Sequence, residues 1–151
     1  MANTQAIATS FKTDLLNGLH AFGTTVVRGA TTKDDFKAAL YAASATINAT
    51  TTAYTATGEA SGAGYTAGGI VVTNATAPTA TGTTAFWTPS ATLSWTTVTL
   101  TSVDAVLFYN DTATGKNAVS VHTFGTQSVV SGNFSLTMPT NDATNALLRL
   151  A

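Results

Sequence analysis

The chain has no cysteine, which excludes a disulfide framework, a thiolate nucleophile and a cysteine-based zinc site. Charge is nearly as scarce. Asp, Glu, Lys and Arg supply 9% of the residues, where a soluble domain usually carries about 25%, and residues 60–103 hold no charged side chain. With a net charge of −1 and no cluster of Lys and Arg, the electrostatic footprint of a DNA or RNA binder is missing. No apolar run nears the roughly 20 residues of a membrane span. The opening MANTQAIATSFK has neither the basic nor the apolar region of a secretory signal. These absences predict a soluble single-domain protein, made in the cytosol, that binds neither nucleic acid nor membrane.

Hydroxyl groups take the place of charge. Threonine occurs 33 times and alanine 27 times in 151 residues. Threonine is β-branched, so its backbone favours extended conformations, and its hydroxyl can face water or a partner strand. Hydrophobic residues make up 44% of the chain, with two Trp, seven Phe and four Tyr among them. Disordered chains combine low hydrophobicity with high net charge, so this composition predicts a folded core.

Residues 1–23 read as an N-terminal helix or arm, and 24–151 as a β-sandwich domain forming one structural unit. Ile7, Phe11, Leu15 and Leu19 recur every fourth residue, with Leu16 widening the stripe. Asn3, Thr4 or Thr9 could cap such a helix, and Gly18 or Gly23 could end it. Beyond it, 24–27 is short and β-branched. Residues 36–47 (FKAALYAASATI) combine alanine with a strand-like alternation of Phe36, Ala38 and Leu40 against Lys37, Ala39 and Tyr41, and read as a strand. The glycine-rich stretch 50–69 reads as a long loop or two tight turns.

Further strands are expected at 69–76, 83–87, 92–100, 105–109, 118–124, 127–138 and 145–150. NDTATGKN (110–117) reads as a hairpin turn with Gly115 in the left-handed position. Pro78, Pro89 and Pro139 fall between strands, where a missing N–H does no harm. In 93–103, strict alternation puts Leu93, Trp95, Thr97, Thr99 and Thr101 on one face, and Ser94, Thr96, Val98, Leu100 and Ser102 on the other. Neither face is charged, so this strand is expected inside a sheet or an interface. Together these signals predict a mainly β, antiparallel sandwich or jelly roll with one N-terminal α-helix.

Motifs that carry chemistry are missing. A hydrolase triad or metal site would need His20 or His122 to meet carboxylates, and the nearest in sequence are Asp14 and Asp111; ordinary hydrogen-bonded histidines are expected. Glu59 is the single glutamate. The neighbours Asp34 and Asp35 fit a turn or a local cap. GEASGAGYTAGG lacks a dinucleotide fingerprint and DTATGKN lacks phosphate-loop spacing, so the glycines are expected to provide a backbone path with positive φ. The N-x-[ST] matches at Asn48, Asn74, Asn110 and Asn133 are incidental in a chain so rich in Thr and Ser. No catalytic, cofactor-binding or metal-ligating residue is assigned, and no enzymatic activity is expected. Trp87, Trp95 and Tyr65 are candidate stacking platforms for a glycan.

Several stretches are distinctive as text: FKTDLLNGLHAF (11–22), FKAALY (36–41), TTAYTATGEASGAGYTAGG (51–69), LFYND (107–111) and PTNDATNALLRLA (139–151). Over almost its whole length the chain resembles a group of small virion structural proteins of tailed bacteriophages. The resemblance implies a component of the particle, made in the bacterial cytoplasm. A head decoration (cement) protein that binds the major capsid protein is the preferred expectation, with a tail or tail-fibre protein, with or without glycan binding, as the alternative. It carries no functional residues over, because these stretches have no assigned site. The uncharged stretch 60–103 lacks the Lys and Glu that normally protect sheet edges, and self-association as a trimer or dimer is expected.

Overall fold

The computed structural model describes residues 3–8, 11, 15, 19–20, 22, 33–73, 76–82, 84–89 and 91–150. The predicted strand at 24–27, the cap candidate Thr9, the end signals Gly18 and Gly23, and Leu16, Asp14 and Asn74 lie outside them, as does the boundary at residue 23. Eight strands are described: β1 (Ala6–Ile7), β2 (Phe36–Ala42), β3 (Ile70–Val72), β4 (Thr79–Thr81), β5 (Thr84–Trp87), β6 (Leu93–Asn110), β7 (Ala118–Leu136) and β8 (Leu148–Leu150). They form two antiparallel sheets, one ordered β1-β7-β6-β2-β3 and the other β4-β5-β8. The fold is mainly β, as the composition predicts.

The N-terminal stripe does not run as one helix among the described residues. Ile7 lies in β1, where Ala6 and Ile7 pair with Val121 and Ser120, and Leu19 lies outside regular structure. The edge of β7 offers backbone partners that compete with the first helical turn, and four-residue spacing cannot report them. Phe11 and Leu15 do have helical backbone, and Phe11 is buried.

The hairpin of β6 and β7 dominates the molecule. Two pairs of predicted strands, 92–100 with 105–109 and 118–124 with 127–138, turn out to be two continuous strands of 18 and 19 residues. Bulges hold them together and also overturn the predicted faces. Between Trp95↔Phe134 and Val98↔Gly132, β6 carries an extra residue; between Leu100↔Val129 and Val103↔Gln127 it carries another. Each insertion restores the inward direction of the next apolar residue, so Leu93, Trp95, Val98, Leu100, Val103 and Ala105 are all buried on one face.

A bulge turns one backbone N–H out of the ladder and leaves it to find another acceptor. Here the residue opposite the bulge supplies it from its side chain. Thr97 N–H donates to Asn133 Oδ1 (3.1 Å), Ser102 N–H to Ser128 Oγ (2.9 Å), and Ser131 N–H to Thr99 Oγ1 (3.1 Å). Thr97, Ser102 and Ser131 all have positive φ, at 53°, 49° and 46°. Hydroxyl and amide side chains in this hairpin therefore hold its bulges as well as covering its surface.

At the hairpin turn the left-handed residue is Lys116 (φ 47°) rather than Gly115, and Asn110 Oδ1 accepts the N–H groups of Thr112 and Ala113. Residues 36–42 are the strand expected there, and the alanine-rich remainder turns. The loop 50–69 returns along both β2 and β6: Ala60 N–H donates to Leu40 O (2.8 Å) and Thr99 N–H to Ala63 O (2.8 Å). The core is built mainly on β2, β6 and β7 and extends under this loop. Phe36 of β2 and Trp87 of β5 bridge the sheets with ring centroids 6.0 Å apart, and Phe22 stacks on Phe36 at 4.9 Å.

Candidate functional site

Ionisable groups fall into separate local sets. The first centres on Glu59, to which all four tyrosines are linked. Tyr54 and Tyr65 hydroxyls donate to its two carboxylate oxygens at 2.6 and 2.9 Å, and the Gly68 N–H donates at 2.7 Å. Tyr109 reaches Gly68 O at 2.8 Å and Tyr41 reaches Thr55 O, while the Leu40 N–H donates to the Tyr65 hydroxyl at 3.0 Å. Tyr54 and Tyr109 stack with centroids 4.9 Å apart. Burial, followed by the Glu59 carboxylate bonded to its hydroxyl, pushes Tyr54 up to about 12. Tyr41, Tyr65 and Tyr109 are also raised, mainly by burial. These phenols stay protonated at any ordinary pH and remain donors. The set is a latch that fastens the loop 50–69 to β2 and β6.

Glu59→Ala should therefore cost about 2–3 kcal/mol, because two phenols and one N–H lose their acceptor. In thermal denaturation that is a drop of about 5–10 °C, whereas Glu59→Gln keeps an acceptor oxygen and should lose less than half as much.

The second set is buried beside the hairpin turn. The Asn110 amide donates to Asp34 Oδ2 at 2.9 Å and lies 3.2 Å from His20 Nδ1; all three residues are buried. Asn110 thus joins Asp34 to His20 across the fold; Asp14, the carboxylate nearest His20 in sequence, lies outside the described residues. Asp34 turns inward and Asp35 outward, where it pairs with Lys33 at 3.0 Å. Asp111 pairs with Lys116 and, at 3.0 Å, with Lys37; the bond from Lys116 above all holds its carboxyl below the usual range. The described lysines thus gather at the turn end of the hairpin.

The third set lines a cleft of about 730 Å³ between the β1–β7–β6 face and the segment joining β7 to β8. Ile7, Val106, Phe108 and Phe124 provide apolar walls, with His122 and Arg149 among the polar groups. His122 packs edge-on against Phe108 at 5.6 Å, and its Nε2 lies 3.0 Å from Ser120 Oγ. Burial pushes its pKa down to about 4, so the ring is neutral at pH 7. Among the described residues no carboxylate lines this cleft and no three of His, Cys, Asp and Glu converge as a metal cluster. Asp142 is engaged in its own turn by Thr140, Thr144 and Asn145, whose bonds hold its carboxyl low.

The glycan-platform residues are not arranged as one. Trp87 and Trp95 are each 3% exposed, and the Tyr65 hydroxyl is committed to Glu59 and Leu40. Asn110 is fully buried. Asn48 accepts the Thr50 N–H in a local turn, and Asn133 serves the bulge at Thr97.

What the fold presents outward is hydroxyl. On the half of the hairpin remote from the turn, Ser94, Thr96, Thr101 and Ser102 of β6 are exposed, with Ser128, Asn133 and Ser135 of β7. Ser94 Oγ and Ser135 Oγ lie 3.0 Å apart across the strands. No charged residue occurs in 93–103 or in 123–136. Charge and hydroxyl surface thus occupy opposite ends of one hairpin. No family model, curated protein or solved structure matches this chain.

Proposed function

We propose that this protein is a non-enzymatic structural component of a tailed-bacteriophage virion: a β-sandwich decoration (cement) protein that binds the major capsid protein and stabilises the head shell. The observation that carries the reading is the uncharged hydroxyl face of the distal hairpin, held rigid by bulges whose N–H groups are satisfied by side chains. A rigid neutral face can bind a broad protein surface by shape and hydrogen bonding, without the desolvation that buried charges impose. The resemblance of 11–22, 36–41, 51–69, 107–111 and 139–151 to small virion proteins supports the same assignment. A glycan-binding tail protein is the weaker reading, because the aromatic side chains it needs are buried or engaged.

Binding only the assembled lattice stabilises that lattice by mass action, about 2.7 kcal/mol per site at a hundredfold excess over Kd. Particles lacking the protein should release their DNA at a lower temperature than complete particles, and added protein should restore them. Equal release temperatures would contradict the cement role and favour a place on the tail.

A further inference from the structure

The five-stranded sheet ends on one side in β3, which is three residues long, and on the other in β7, only a short part of which is covered. β1 pairs with Ser120 and Val121, and Ala8 N–H donates to Val119 O. On the other side of β1 the chain turns away from this edge: Thr4 N–H donates to Ile47 O, and Asn3 bonds Ala42 O and Asp104. Among the described residues nothing pairs with the outer edge of 123–136. This edge runs for about 45 Å at strand rise. It carries no Lys, Arg, Asp or Glu, and Val130 on it is 80% exposed. A long uncharged edge of this kind is a template for another strand.

Its bulges restrict what that strand can be. Excess residues of β7 occur at 124–126, where Gly125 has positive φ, and at 130–131. A regular strand would fall out of register after a few residues. The strand that does pair with β7 along this stretch, β6, has a comparable bulge spacing, at 97 and 102. Another β7 has it as well. Antiparallel pairing of a strand with its own copy is isologous and closes at two subunits, and the absence of charge means no like charges are brought together across the axis.

We propose that the outer edge of β7, residues 123–136, is a homodimer interface, joining two copies antiparallel about a twofold axis into one continuous ten-stranded sheet. The two hydroxyl faces become one, and the dimer forms in solution wherever on a particle the protein sits. This selects a dimer over the trimer also expected from sequence.

Sedimentation equilibrium on the full chain tests this with two variants. Thr126→Lys/Val130→Lys places four lysines along the interface of the dimer at exposed positions, and should raise the dimer dissociation constant at least about tenfold, the equivalent of 1.4 kcal/mol. Val71→Lys, at a 62% exposed position on the opposite edge, should leave it unchanged. Circular dichroism should show both variants folded. A wild-type protein that stays monomeric, a trimer, or a dimer broken by Val71→Lys and not by the double variant would overturn the proposal. The measurement involves no particle, so its failure leaves the virion assignment standing, and the reverse holds too.

Discussion

Gly69→Ala should cost more than about 4 kcal/mol, enough to leave little folded protein at ordinary temperature. Gly69 ends the returning loop just before β3, with φ of 73°, and a Cβ built on it would lie 1.9 Å from Ala38 O and 2.7 Å from Ala39 Cα. Both neighbours are backbone of β2, an interior strand paired on both sides, so neither can move aside as a flexible side chain would. The comparison is Gly82→Ala, also at positive φ (60°) but with nothing within 4 Å of its added Cβ. That variant should lose only the conformational term, about 1–2 kcal/mol. Urea denaturation of both variants separates the close approach from the dihedral; equal losses would show that the Gly69 contact relaxes.

A second large effect is expected on acidification. His122 has an ordinary pKa of 6.5, lowered by burial to about 4 in the folded protein. The unfolded chain therefore takes up a proton at this site as pH falls through 6.5, while the folded chain does so only near 4. Between those values the unfolded state binds more protons, so stability is full above pH 6.5 and falls as pH drops. The loss should reach about 2–3 kcal/mol by pH 4.5. His122→Gln removes the titration and should flatten this part of the pH profile relative to wild type. Asp111, whose carboxyl is held low by Lys116 and Lys37, adds a loss only below its ordinary pKa of 3.8, outside the histidine window. Parallel profiles for the two proteins between pH 6.5 and 4.5 would show that His122 is not buried in its neutral form.

The class of fold was legible because threonine and β-branched runs are local signals, and so were the glycine-rich return loop, the hairpin turn and the prolines between strands. The bulges were not. In Leu93, Trp95, Val98, Leu100, Val103 and Ala105 the apolar spacing runs two, three, two, three, two, so a strict period of two assigns Val98 and Leu100 to the wrong face. Read as two-three spacing, with Asn or hydroxyl residues opposite each insertion, the same letters encode a bulged strand. The stripe of Ile7, Phe11, Leu15 and Leu19 overran at its start for a different reason: pairing with β7 decides Ile7, and that partner lies more than a hundred residues away. The Glu59 latch was hidden similarly. One glutamate and four tyrosines are visible in the text, but only the return of the loop along β2 and β6 brings them together.

Rebinding of purified protein to particles stripped of it, measured across salt concentration, tests most directly the claim that an uncharged hydroxyl face makes the contact. The face proposed for attachment contains no charge, so binding should persist with little change from low to high salt. Binding that collapses between low and moderate salt would contradict the account, and would assign the contact to Lys12, Lys33, Lys37 and their acidic neighbours instead.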